Sequence, residues 1–372
     1  MSTIRLSKSC VGDEEKAALA RVIDAGYLGM GKEVQLFEEE IANYLGTKME
    51  VICVNTGTAA LHLALQCMDI GPGDEVLVPS LTYVASFQAI AATGARPIAC
   101  DVTVDRGFID MGDAAKRLTP RTKAIMPVHY ASDSQGMDAV YAFAVANNLR
   151  VVEDAAHAFG CRREESKIGA SGDVICFSFD GIKNITAGEG GAVVTGDKSL
   201  VNRIRDARLL GVEKDTEKRF EGKRSWRFEV QHLGYRFHMS NLMAAIGREQ
   251  IKKLPNFADH RNKCVSRYRT ELICLEGLRF LDLEYASIIS HIFPVRVLNG
   301  RRDQLMDYLQ DREIECGLHY QPNHMLNLFA SNYQLPVVEM LADQLLSLPL
   351  HADLTQDQQT MVIREVLGFF NR

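Results

Sequence analysis

Two stretches, Val151-Val-Glu-Asp154-Ala-Ala-His157 and Cys176-Phe-Ser-Phe-Asp-Gly-Ile-Lys183-Asn184, decide how this chain is read. The first sets a carboxylate, Asp154, at the carboxyl end of an apolar β-branched run. The second sets an amine, Lys183, just beyond another apolar run. Open α/β sheets bind ligands outside the carboxyl ends of their strands, so two such ends can face one ligand.

Outward from these stretches the same alternation repeats. Apolar β-rich runs at Val51–Val54, Glu75–Val78, Pro97–Cys100, Lys123–Val128, Arg150–Glu153, Asp173–Ser178 and Ala192–Thr195 read as seven strands. Helical patterns fall between them near 58–68, 82–92, 136–147 and 198–209. This predicts an α/β fold with a mainly parallel sheet covered on both faces. Residues 213–229 are highly charged, hold the only tryptophan and show no period, so they read as a long loop. Helical character resumes at Ser240–Leu254 and is expected to stop at Pro255. Beyond it, His291–Val297 reads as a strand and 301–312 and 337–346 as helices. A last helix starts at Thr355, with Gln358 completing a capping box. The expected division is a large domain over 1–254 and a smaller α+β domain over 255–372.

Composition narrows the class of protein. The chain has 372 residues, 47% hydrophobic and 24% charged, with a formal charge of −6, which argues against a general nucleic-acid or anionic-membrane surface. The N-terminus turns acidic at Asp13-Glu14-Glu15 with no apolar stretch before it, and no uninterrupted apolar run is long enough to span a bilayer. Nine cysteines are scattered without a C-x-x-C pair or metal-ligand spacing. That pattern suits a reducing cytoplasm, and no metal site is expected.

Lys183 sits among small and apolar neighbours and is followed by Ala187-Gly-Glu-Gly-Gly191. Burial there would lower its pKa and free the amine as a nucleophile and then a base. Asn55-Thr-Gly-Thr-Ala-Ala60 follows a strand and opens a helix, so its amides converge at a positive helix N-terminus suited to a phosphate. Gly57, Thr58 and the Ser178 hydroxyl are the best donors. An amine for an aldehyde, an acid for a pyridine nitrogen and a phosphate cradle together match pyridoxal 5'-phosphate (PLP).

These segments resemble the DegT/DnrJ/EryC1/StrS family of PLP-dependent nucleotide-sugar aminotransferases. The run S-F-x-x-x-K-N followed by G-E-G-G-A-V-V-T looks like the family's Schiff-base segment, and Glu153-Asp-Ala-Ala-His157 looks like its E-D-A-A-[QH] pattern. The resemblance implies the PLP-dependent transferase fold type I, like aspartate aminotransferase. It implies that Lys183 is the imine lysine and that Asp154 pairs with the pyridinium nitrogen. His157 would contact the phenolic oxygen, and Tyr83 would stack on the ring. Gly234-Tyr-Arg-Phe-His-Met-Ser-Asn241 is similar to a segment that reaches the neighbouring active site of a homodimer, within a crossing region over 213–241. Arg236 stands where the family has asparagine, and His238 where it has arginine. Gly317-Leu-His-Tyr-Gln-Pro-Asn-His324 looks like a substrate loop, implicating His319, Tyr320 and His324.

The implied reaction moves an amino group from L-glutamate to a nucleotide-linked ketosugar. The expected substrate is dTDP-4-keto-6-deoxy-D-glucose, giving a 4-amino-4,6-dideoxy sugar for O-antigen or other surface-glycan synthesis. Two alternatives stand beside it: a 3-keto-sugar or keto-inositol aminotransferase, and a PLP-binding regulator without turnover.

Overall fold

The computed structural model describes residues 3–371. All seven strands that the alternation predicts form one sheet. They are β1 (Glu50–Val54), β2 (Glu75–Pro79), β3 (Arg96–Cys100), β4 (Thr122–Ile125), β5 (Arg150–Asp154), β8 (Val174–Ser178) and β9 (Gly191–Thr195). Between β5 and β8 lies a small hairpin of β6 (Arg162–Arg163) and β7 (Ser166–Lys167). The sheet order is β1-β9-β8-β5-β4-β2-β3. The pairs from β8 through β3 are parallel, and β9 runs antiparallel to both neighbours. Strands β2, β8 and β9 are buried along their whole length, which is why they read as unbroken apolar runs rather than alternating ones.

β4 is shorter than its apolar run. Pro127 has no N–H to give the ladder, and only Val128 rejoins, through a single parallel bridge to Asp154. One sheet face is covered by α3 (Gly57–Cys67) and α7 (Lys198–Ala207), and the other by α5 (Met111–Arg117) and α6 (Met137–Asn147). At the start of α3 the Thr56 side chain accepts from the amide of Ala59 at 3.0 Å, capping the helix just past the carboxyl end of β1. α4 (Val84–Ala92) follows β2 in the same way.

Two N-terminal helices, α1 (Asp13–Asp24) and α2 (Lys32–Leu45), pack on α9 (Asn241–Leu272). The helix expected to stop at Pro255 therefore runs on for a further 17 residues past it, through Leu272. Proline removes only its own N–H, leaving the Ile251 carbonyl without that partner. Burial of Leu254, Arg261, Val265 and Tyr268 on the same helix holds it together across the gap. Within the charged 213–229 segment, expected to be loop throughout, a short helix α8 (Asp215–Phe220) forms, and Trp226 is exposed.

The C-terminal unit has its own core. The antiparallel strands β10 (Leu278–Phe280), β11 (Phe293–Val297) and β12 (Leu345–Leu348) carry α10 (Arg302–Gln310) and α12 (Gln356–Phe370). The Thr355–Gln358 capping box is present. α11 (Pro336–Gln344) leads into β12. The N-terminal strap joins this unit: the Ile4 amide donates to Glu313 O at 2.8 Å, and the Leu350 amide donates to Leu6 O at 3.0 Å. The expected division at 254/255 thus falls inside α9, and Ile4 packs in the core of the C-terminal unit.

Candidate active site

β5 and β8 are parallel neighbours, with Asp154 opposite Cys176, so the two decisive stretches of sequence end side by side. Asp154 is buried at the carboxyl end of β5. Its Oδ2 accepts from Ser86 Oγ at 2.7 Å and its Oδ1 from the Ala156 amide at 3.2 Å. Ser86 Oγ is also 2.8 Å from Thr82 Oγ1. The carboxylate is therefore fixed in orientation by α4 and by its own turn, with no cation bonded to it among the described residues.

Lys183 lies in the turn between β8 and β9. The residue is half-buried, and burial lowers its pKa against the opposing pull of Asp154 and Asp180. Among the described residues the one hydrogen-bond partner of its amine is His291 Nε2, at 3.4 Å. Three imidazoles border it. His157 and His291, their rings 4.5 Å apart, are held well below the ordinary histidine range, by burial first and then by the nearby Lys183. His319 is pushed down to about 4 by burial and by Lys183. Burial that lowers the pKa of the amine makes its neutral, nucleophilic form easier to reach than in a solvated lysine.

His157 bonds Tyr320 Oη through Nε2 at 3.0 Å, while its buried Nδ1 has no hydrogen-bond partner among the described residues. His319 bonds Ser347 Oγ through Nδ1 at 2.8 Å, and its carbonyl accepts from the Tyr130 hydroxyl. Tyr83 stands at the N-cap position of α4 and is 60% exposed, with its ring 5.6 Å from that of Tyr320.

Gly57 opens α3 directly against the end of β8. A Cβ there would lie 2.8 Å from Ser178 Cβ and 3.1 Å from Ser178 Oγ, so the close approach requires glycine. The Ser178 hydroxyl and the first amides of α3 share this corner, with Thr58 exposed at its edge. That is a phosphate-sized set of donors without bulk.

Two residues of the sequence reading stand apart. Both ring nitrogens of His324 are engaged, Nδ1 with Ser80 Oγ at 2.8 Å and Nε2 with Glu339 Oε1 at 3.2 Å, which pins the loop between the turn after β2 and α11. The Arg236 backbone lies by the Asn55 turn, with the Asn55 amide donating to Phe237 O at 2.7 Å. Its exposed side chain makes no hydrogen bond or ion pair among the described residues.

Sequence reasoning missed Ser86 and His291. A serine inside the apolar helix Val84-Ala-Ser-Phe-Gln-Ala-Ile-Ala-Ala92 and a histidine opening an apolar strand were the available signals. Neither identifies its partner.

Residues 9–367 match the DegT/DnrJ/EryC1/StrS aminotransferase family. The chain belongs to that family. Among solved structures it is similar to the aminotransferase TlmJ from Streptoalloteichus hindustanus, at 31% identity over 99% of this chain and 98% of that one, with a TM-score of 0.92. DesV from S. venezuelae is 36% identical over 96% of this chain and 95% of its own, with a TM-score of 0.88. The sugar aminotransferase CalS13 from Micromonospora echinospora is 28% identical over 98% and 99%, with a TM-score of 0.89.

The chain is accordingly a PLP-dependent aminotransferase of fold type I. Its residues fit the cofactor on structural grounds: an amine of lowered pKa, an oriented carboxylate, a glycine cradle at a helix N-terminus and an unpartnered Nδ1 on His157. Among the described residues no cluster of His, Cys, Asp or Glu side chains could hold a metal ion. No helix among them is long and apolar enough to cross a membrane.

Proposed function

We propose that this enzyme transfers an amino group from L-glutamate to the keto carbon of a nucleotide-linked deoxysugar. Its keto substrate is dTDP-4-keto-6-deoxy-D-glucose, and its product a 4-amino-4,6-dideoxy sugar that feeds O-antigen or related surface-glycan synthesis. The observation that carries the reading is the Lys183 amine, its pKa lowered by burial, presented beside the strand end that bears an oriented Asp154. The sugar class rests on likeness to CalS13, described as a sugar aminotransferase.

PLP, when bound, supplies an electrophilic carbonyl carbon and an electron-withdrawing ring. Every other part belongs to the chain. Lys183 Nζ holds the cofactor as a nucleophile, and once released it moves a proton as a base. Asp154, steadied by Ser86 and the Ala156 amide, sets a negative charge toward the ring nitrogen. Gly57, Thr58 and Ser178 bind phosphate at the start of α3. Tyr83 stacks on the ring, and the Nδ1 of His157 meets the phenolic oxygen. His319 and Tyr320 border the substrate side, and His324 shapes that loop rather than touching the sugar.

Arg236 extends from its own chain toward a second copy, in a homodimer with shared sites. A cytoplasmic location suits nine cysteines, none of them in a disulfide.

The test is a pair of half-reactions. Purified protein loaded with PLP should lose its visible absorbance on adding L-glutamate and release 2-oxoglutarate. Adding dTDP-4-keto-6-deoxy-D-glucose should then yield a nucleotide amino sugar. Bound cofactor without 2-oxoglutarate would favour a binder over an enzyme. Turnover of a 3-keto isomer alone would move the amination to C3.

A further inference from the structure

His291 reaches the active site from the C-terminal unit, more than 100 positions from Lys183, and it is built in from three sides. Its amide donates to Ser132 Oγ at 3.0 Å. Its carbonyl accepts from the buried Arg261 guanidinium at 3.2 Å, which also grips Ser290 O at 3.2 Å and Leu350 O at 3.3 Å. Its ring packs on His157, and its Nε2 faces Lys183 Nζ at 3.4 Å. Only 3% of the residue is exposed. Ser132 ties the two histidines together, since its Oγ also donates to His157 O at 2.6 Å.

We infer that His291 is a positioning residue for the Lys183 amine, a neutral hydrogen-bond partner that holds Nζ at the end of β8. The inference rests on the reading of Lys183 as the lysine that carries PLP. The case for a neutral partner is electrostatic. The groups around the pair are His157, His319, Lys183 and Arg261 on the cationic or neutral side, and Asp154 and Asp180 on the anionic side. Arg261 has no carboxylate bonded to it among the described residues, so a buried cation stands directly behind His291. With an amine in front and a guanidinium behind, an imidazolium at 291 is disfavoured, while a neutral ring can still accept from Nζ. A carboxylate at this place would instead lock Lys183 as an ammonium. A purely apolar side chain would leave a long, flexible amine without an anchor.

The experiment compares wild type, His291→Leu and His291→Gln as PLP-free proteins. The readout is the rate of Lys183 arylation by fluorodinitrobenzene against pH, followed by peptide mass mapping. Leucine removes the acceptor, so the protonated amine is less favoured. The pH midpoint of Lys183 arylation should fall by about one, a tenfold change in the protonation equilibrium. Glutamine is neutral and carries an acceptor, and should restore the midpoint to within about threefold of wild type in rate at any pH.

With PLP and both substrates, kcat should fall in His291→Leu about tenfold with KM little changed, and recover in His291→Gln. An unchanged arylation profile in His291→Leu would overturn the inference, as would a glutamine variant no better than leucine. If the leucine variant does not fold, the imidazole nitrogen resonances of wild type and Lys183→Ala decide. The Nε2 signal of His291 must move when the amine is removed, and an unmoved signal overturns the inference. Failure of Lys183 to take up PLP in wild type would sink the functional reading instead, an outcome separate from all of these.

Discussion

Gly57→Ala tests the phosphate corner with two independent magnitudes. The added Cβ would stand 2.8 Å from Ser178 Cβ, 3.1 Å from its Oγ and 3.3 Å from its Cα. Carbon contacts settle near 3.5–4.0 Å, so the first turn of α3 or the end of β8 must yield by roughly 1 Å. Neither is the free end of a flexible side chain. One is capped by Thr56 and the other is held in register on β9, Ser178 opposite Gly191. Overpacking of this kind costs about 1–3 kcal/mol of stability. The same displacement moves the α3 amides and the Ser178 hydroxyl off a bound phosphate. One hydrogen bond to a charged oxygen is worth about 1.5–3 kcal/mol, so PLP affinity should weaken by about 10- to 150-fold. Chemical denaturation of the PLP-free protein reads the first number, and PLP titration by absorbance reads the second. Gly71→Ala is the control, because its nearest neighbour would be Thr93 O at an ordinary 3.5 Å, away from the site. Retention of PLP affinity within about threefold in Gly57→Ala would refute the assignment of this corner to phosphate.

Ser86→Ala removes the 2.7 Å bond to Asp154 Oδ2, and should cost about 1–3 kcal/mol in denaturant melts together with a loss of kcat. A variant as stable and as fast as wild type would show that Asp154 needs no such support. In PLP-free protein, Lys183→Met should raise thermal stability at neutral pH, because the buried ammonium is costly. The sign follows from linkage: the folded pKa lies below the unfolded 10.5, so the unfolded chain binds more protons and wild type gains stability as pH rises. The advantage of methionine is full below the folded pKa and gone above the unfolded one, and a pH-independent difference in melting temperature would contradict it. Mixing inactive Lys183→Ala with Arg236→Ala under subunit exchange should restore about half of wild-type activity per heterodimer, since both defects fall in one site. Full activity of Arg236→Ala alone, or no recovery after verified exchange, would end the shared-site reading.

What was legible in the sequence is what repeats or sits at a fixed offset. The seven strands stood out because strands buried on both faces are written as unbroken apolar runs. Lys183, Asp154, Gly57 and Ser178 were legible because each lies at or just past the end of such a run, where an α/β sheet puts its ligand. Pro255 misled, because a proline's local cost says nothing of the packing on either side of it. Strands β10 and β12 are short, and α1 and α2 announce themselves mainly through what they pack on, so neither pair was read. Arg236 and Thr58 could be placed on their segments, but their exposed side chains have no hydrogen-bond or ion-pair partner among the described residues.

The part that pattern could not supply is the closure of the site by the C-terminal unit. Its contacts arrive singly: His291 on Lys183, Tyr320 on His157, and the His319 carbonyl on Tyr130. Ser132 lies at their junction, donating to His157 O and accepting from the His291 amide. None of these pairs has a spacing that recurs, and each joins residues more than a hundred positions apart across two cores, Ser132 and His157 excepted. The strand ends alone would offer an amine and a carboxylate open to water, where the lysine would keep its ordinary pKa. It is burial that depresses it in the folded protein. The place of Lys183 is therefore written in the sheet, but the burial that lowers its pKa belongs to the folded site as a whole. A substitution that loosens His291 or the 317–324 loop should lower activity without touching any residue that binds PLP.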